Sequence, residues 1–282
     1  MRHALIVVAC AASALSACQK PGGGDVSRSM DSVNVIDESN LNDIMLTVAD
    51  PEEAVTYFQR ASSQEPDRID FKRGLATSLV RAGQAARSVP VWREIVGSPE
   101  GTNEDRVDYA SALVRTGDWA SAETELNQIP PTHETYERYR LEAMVADSNR
   151  DWDKADSFYE TASELTLRPA GVLNNWGYSK LTRGDFREAE QLFVQAIEYD
   201  SSLFTAKNNL VLARGAQRNY RIPSVPASQT ERAQLTYTMA LSAIKQGDVS
   251  TGRTLLQEAI DTHPQHFDAA VRALRTLESE RG

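Results

Sequence analysis

The segments RTGDWASAETEL (residues 115–126) and TRGDFREAEQLF (residues 182–193) follow one plan. A glycine and an aspartate are followed by an aromatic residue. A small residue then falls five places after the glycine, and a large apolar residue four places beyond that. RAGQAARSVPVW (81–92) and KQGDVSTGRTLL (245–256) repeat the arrangement with substitutions. Gly83 and Gly117 are 34 residues apart, and Gly117 and Gly184 are 67 apart, two periods less one. NRDWDKADSFYETA (149–162) fills the intervening slot, with Arg150 in place of glycine. ADPEEAVTYFQRASSQEPD (49–67) adds a copy near the front. Self-similarity at such a period marks a stacked array, because one unit cannot bury its apolar face alone.

Each copy reads as two helices and a turn. Small residues recur where the helices must cross closely: Ala76, Ala110, Ala143 and Gly177 on first helices, Ala54, Ala122, Ala155 and Ala189 on second helices. Seven residues after the latter come Ala61, Ile129, Ala162 and Ala196. Phe58, Trp92, Leu126, Tyr159, Phe193 and Leu256 lie four residues after the small site and share its face. Pro66 and Pro264 fall where the second helix has to stop. The pattern resembles the tetratricopeptide repeat, a 34-residue helix–turn–helix unit, over about Val35 to Glu278. The resemblance implies an all-α helical-repeat solenoid of five to six antiparallel helix pairs with a C-terminal capping helix. Ser88 and Gly252 depart from it at alanine positions, and SNLNDIMLTV (39–48) is a weak first helix.

The register breaks once. After SLFTAKNNLVLARGAQRN (202–219) the expected second helix is replaced by YRIPSVPASQ (220–229), where Pro223 and Pro226 forbid it. A capping box, Ser228 with Glu231, restarts the helical pattern. HFDAAVRALRTLESE (266–280) has the spacing of a terminal cap. The expected division is an N-terminal array over 35–220, a proline-containing linker over 221–230, and a final repeat with cap over 231–282.

The front of the chain has a different character. MRHALIVVACAASALSA (1–17) has a basic start and an apolar run too short to span a bilayer, the pattern of a signal peptide. Leu15-Ser16-Ala17 before Cys18 resembles a bacterial lipobox, which implies acylation of Cys18. Cys10 lies in the part that would be removed, so Cys18 has no intramolecular partner and lipid attachment gives it a use. Several acyl chains, at about 0.8 kcal/mol per buried methylene, would anchor durably. Residues 18–34 read as a lipidated flexible tether, whose glycine-rich part QKPGGGDVSRS (19–29) has a reach of roughly 20 Å. Gln19, where inner-membrane lipoproteins often carry aspartate, points to an outer-membrane lipoprotein facing the periplasm.

The net charge of −10 argues against nonspecific nucleic-acid binding. No metalloprotease, hydrolase-nucleophile or nucleotide-binding motif is present. His263 and His266 straddle a helix end and Pro264, which fits a turn better than a metal pair. His133, in a connection between repeats, is expected at the surface. No catalytic residue, cofactor (beyond the lipid on Cys18), metal or small-molecule substrate is expected.

Function is then expected on the concave face, lined by first helices. Aligned copies place Arg73, Val107, Arg140, Asn174 and Asn208 at one inward position. Thr77, Ser111, Met144, Tyr178 and Leu212 follow four residues on, then Arg81 and Arg115. Arg73, Arg81, Arg115, Arg140, Asn174, Tyr178 and Asn208 are the candidate partner contacts, basic toward the N-terminal half. The alternative is that the arginines pair with Asp70, Glu104 and Glu137, and the asparagines bridge helices. The insert around 221–229 is a second candidate surface. The lysine–asparagine set of a chaperone-binding carboxylate clamp is absent.

The lipobox, DPEEAVTYFQRASSQEPDRIDFKRGLA (50–76) and RAQLTYTMALSAIKQGDVSTGRTLLQEAIDTHPQHF (232–267) together resemble the TadD-type tetratricopeptide lipoproteins of the tight-adherence (Flp) pilus system. That resemblance implies a non-catalytic scaffold that assists a secretin or another pilus component at the outer membrane. General outer-membrane protein assembly and regulation of peptidoglycan enzymes are the alternative roles.

Overall fold

The computed structural model describes residues 41–279. The expected signal peptide, Cys18 and the expected tether lie outside the described residues. Within them, α1 covers 41–47, and the second helix of that first unit is α2 (Pro51–Gln64). Four helix pairs follow: α3 (Ile69–Arg81) with α4 (Ala85–Gly97), α5 (Asn103–Thr116) with α6 (Trp119–Leu126), α7 (Tyr136–Ser148) with α8 (Trp152–Glu164), and α9 (Ala170–Arg183) with α10 (Phe186–Tyr199). Then come α11 (Phe204–Ala216), the pair α12 (Gln229–Lys245) and α13 (Val249–Thr262), and α14 (Asp268–Ser279). The described residues form an all-helical, tetratricopeptide-like solenoid with no strands.

The turns explain the recurrent glycine. Gly83, Gly117, Gly184 and Gly247 all have positive φ, from 72° to 95°. That conformation lets the chain reverse between paired helices, and a side chain there is strained. Arg150 adopts it at φ 60° in the glycine-less copy. Arg218 adopts it too, at φ 59°, so the sixth turn survives although its second helix does not. The aspartates after Gly117 and Gly247 cap the next helix, accepting the backbone N–H of Ser121 at 3.2 Å and of Thr251 at 3.1 Å.

The small and large residues interlock as the spacing requires. Ala76, Ala110, Ala143, Ala54, Ala122, Ala155 and Ala189 are fully buried, and Phe58, Trp92, Leu126, Tyr159, Phe193 and Leu256 fill the space between helices. At Gly177 a Cβ would stand 2.7 Å from the Phe193 ring, so α9 and α10 meet too closely for alanine. Ser88 satisfies its hydroxyl locally, donating to the Ala85 carbonyl at 2.8 Å. Two expectations need adjustment. Ala61 is only half-buried, and Ile129 lies beyond α6, which stops at Leu126. Ile129 still enters the core, from the turn ahead of Pro130 and Pro131.

The insert takes the place of the missing helix. Residues 219–228 run without helix, Pro223 is buried, and Ile222, Val225 and Ala227 pack on the core beside α12. Direct α11–α12 packing results. Lys207 donates to Glu231 at 3.1 Å, inside the Ser228–Glu231 capping box, and Gly215 lies against Ser242. The apolar side of the insert is thus spent on structure.

Candidate functional site

Two of the predicted groove arginines are committed to the fold. Arg73 Nε and Nη2 donate to the two Asp105 carboxylate oxygens, each at 2.8 Å, and Nη2 also donates to the Glu100 carbonyl at 2.9 Å. The expected partner Asp70 is instead engaged by Arg68, at 2.6 Å. Asp105 also accepts the Thr102 N–H at 2.9 Å, so one carboxylate joins an inter-repeat pair to a helix cap. Burial pushes its pKa up, but Arg73 and Thr102 outweigh burial and hold it below the usual carboxylate range. Arg81 donates to the carbonyls of Met45 and Ala49, at 2.9 and 3.1 Å, and so ties down the C-terminal end of α1. Val107 is 6% exposed and belongs to the core.

The N-terminal half of the face is therefore not the basic surface expected. Arg115 is exposed on the last turn of α5. Asp108 projects nearby with Asp105, Glu137 and Glu104 around it. Its surface is open, yet the crowded wall displaces water, and this with carboxylate repulsion pushes its pKa up to about 6.

Between α7, α9 and α11 the face deepens into a cavity of about 440 Å³. Met144, Asn174, Asn175, Tyr178 and Asn209 line it from first helices, while Trp119 and Trp152 enter from the starts of α6 and α8. Tyr178 is 54% exposed. The floor is polar but satisfied: Asp147 accepts the Tyr159 hydroxyl at 2.8 Å and the Ser179 hydroxyl at 2.6 Å. Burial raises the Asp147 pKa against those two hydrogen bonds. Behind it, Asp156 accepts from Trp176 Nε1 at 2.6 Å, Lys180 at 3.0 Å and Arg183 at 2.7 Å, locking α8 to α9.

Predicted residues Asn174 and Tyr178 thus share one cavity, with Met144 beside them. Asn208 does not line it: its side-chain carbonyl accepts the Thr238 hydroxyl at 2.8 Å, and the neighbouring Asn209 reaches Asn174 at 3.0 Å instead. Sequence reasoning missed Trp119, Trp152 and Asp147. The signal was present for the tryptophans, since each falls two residues after its turn residue, Gly117 or Arg150.

The histidines split. His263 accepts the Gln265 N–H at 3.1 Å and packs on Phe267, a turn-forming role. His133 is not at the surface as expected: its side chain is 13% exposed, in a loop that Arg138 holds through the carbonyls of Pro130 (2.8 Å) and His133 (3.1 Å). Among the described residues no helix is long and apolar enough to cross a membrane, and no group of histidine, cysteine or carboxylate side chains could hold a metal.

A tetratricopeptide-repeat family model matches residues 235–266, from within α12 through α13. A comparison with curated protein sequences finds no match. Among solved structures, the chain resembles one in the APC/C hetero-tetramer Cut9–Hcn1, with TM-score 0.58 and 12% identity over 81% of this chain. It spans 46% of that chain's length. A tetratricopeptide repeat protein from Parabacteroides merdae matches with TM-score 0.54 and 12% identity, over 88% of this chain and 96% of the other. A human IFIT1 dimer with PPP-AAAA matches with TM-score 0.56 and 16% identity, over 82% and 60%. At these identities the likeness is one of fold. The chain has the tetratricopeptide architecture, which generally serves protein–protein interaction.

Proposed function

We propose that this chain is a non-catalytic, lipid-anchored scaffold that captures a polypeptide client during tight-adherence (Flp) pilus biogenesis, helping a secretin assemble at the outer membrane. The observation that carries client capture is the concave cavity itself. It sets tryptophan, methionine and an exposed tyrosine beside amides on rigid helices, the combination that holds an extended chain by anchor side chain and backbone. Among the described residues the amide of Asn175 donates to the Met144 sulfur alone, at 3.7 Å, and so can turn to a ligand. The envelope and pilus parts of the reading rest on the sequence: the lipobox before Cys18 and the two segments that resemble TadD-type lipoproteins.

The test compares a strain carrying only Cys18→Ser with wild type, blotting fractionated membranes for assembled secretin. Loss or mislocalisation of the assembled secretin, with bulk outer-membrane proteins normal, is the expected result. Normal secretin would remove the anchored pilus role. A general defect in barrel proteins would transfer the chain to outer-membrane protein assembly.

A further inference from the structure

We infer that the concave cavity recognises a client segment in which an apolar side chain stands close to a carboxylate. The inference rests on the client-capture reading and specifies its chemistry. The lining supplies the apolar half: Trp119, Met144, Trp152 and Tyr178 border a cavity of about 440 Å³, room for a leucine or aromatic side chain together with its neighbouring backbone. Asp147 in the floor does not call for a cationic ligand. Each of its oxygens already accepts a hydroxyl, and the charge of Arg183 acts on it from within the protein.

One unpaired charge at the rim is a cation. Arg140 Nη1 lies 3.7 Å from Met144 Sδ, which places the guanidinium at the edge of the cavity. Unlike Arg73, it has no ion-pair partner among the described residues. Glu137, one turn earlier on α7, acts on it only through its field, and Arg115 of the preceding repeat adds a second cation. Loss of water, with Arg115 nearby, lowers the Arg140 pKa although arginine stays charged. A half-buried guanidinium that has gained no carboxylate within the protein is one that a ligand carboxylate stabilises. The spacing fits an extended chain. Arg140 and Met144 leave α7 four residues apart, about 6 Å of rise, and their side-chain ends converge to 3.7 Å at the cavity's edge. Side chains two apart on a strand point the same way and are spaced by about 6.6 Å.

The experiment selects a displayed random dodecapeptide library on the immobilised chain, then measures a recovered peptide against variants. The expected result is enrichment of leucine or aromatic residues with aspartate or glutamate about two positions away. Binding to Arg140→Glu and Arg140→Gln should weaken about tenfold or more, with helix content and melting unchanged. The glutamine variant guards against a fold defect in the charge reversal. Recovered peptides without acidic enrichment, or bound equally by both Arg140 variants, overturn the inference. If Tyr178→Ala still weakens such peptides, the groove reading stands. Peptides indifferent to Tyr178 and Arg140 alike, or no recovery at all, overturn both.

Discussion

Replacing Asp105 by alanine tests whether Arg73 is a strut or a ligand contact. The carboxylate is 5% exposed and receives both Arg73 nitrogens at 2.8 Å, while Arg73 is 33% exposed. Losing the Asp105 side of the capping box, its acceptance of the Thr102 N–H, costs about 1 kcal/mol. Stranding a fully buried partner would cost about 3–5 kcal/mol, but Arg73 regains water on its open side, so about 2 kcal/mol is the fitting value here. The sum of about 3 kcal/mol lowers the melting temperature of a chain this size by about 6–12 °C. Circular dichroism melts of Asp105→Ala, Arg73→Ala and the double variant give the coupling, expected at about 1–3 kcal/mol. Asp105→Asn keeps an acceptor for the cap and isolates the charge. The pH dependence has a defined sign. A carboxyl held below its unfolded value of about 3.9 contributes fully above that pH, and the contribution is lost as pH falls through the folded pKa. Additive effects within about 0.5 kcal/mol would refute the reasoning. So would an Arg73→Ala chain that melts normally yet fails to hold its client.

Arg150→Gly should stabilise the chain by about 1 kcal/mol, because φ 60° strains a side-chain-bearing residue and costs glycine nothing; a melting point unchanged or lowered would count against strain at that turn. Asp108, with its pKa pushed up to about 6, binds its proton more tightly folded than unfolded, so it adds stability as pH falls from 6 toward 4. Asp108→Asn should remove that rise and stabilise the chain at neutral pH, and carbon-detected NMR titration of the Asp108 carboxyl near 6 checks the cause.

Much of the fold was legible because its determinants are local and repeated. The glycine turns, the small residue five places later and the large residue four beyond that are short-range demands of helix reversal and helix crossing. The break after Asn219 was legible from Pro223 and Pro226, and the restart from Ser228 and Glu231. What periodicity could not tell is that the sixth turn persists at Arg218, since a positive φ in arginine leaves no mark in the sequence. Nor could it tell that the insert buries its apolar side.

The site was legible only in part. Alignment of copies found the face and three of the cavity's residues, Met144, Asn174 and Tyr178, because facing is set by helical period. It misassigned Arg73 and Arg81, whose partners Asp105 and Met45 lie 32 and 36 residues away. Carboxylates and helix-end carbonyls compete for each arginine, and reach and burial choose among them.

The sequence by itself determined the repeat, its turns, its interlocking core and the single break in register. These follow from backbone conformation and side-chain size within one unit. Only the tertiary structure decided which charges are neutralised inside the protein and which remain at the rim. It also decided that Trp119, Met144, Trp152, Asn174 and Tyr178 enclose one volume. Those outcomes depend on how neighbouring units are rotated against each other, and no single unit encodes that rotation.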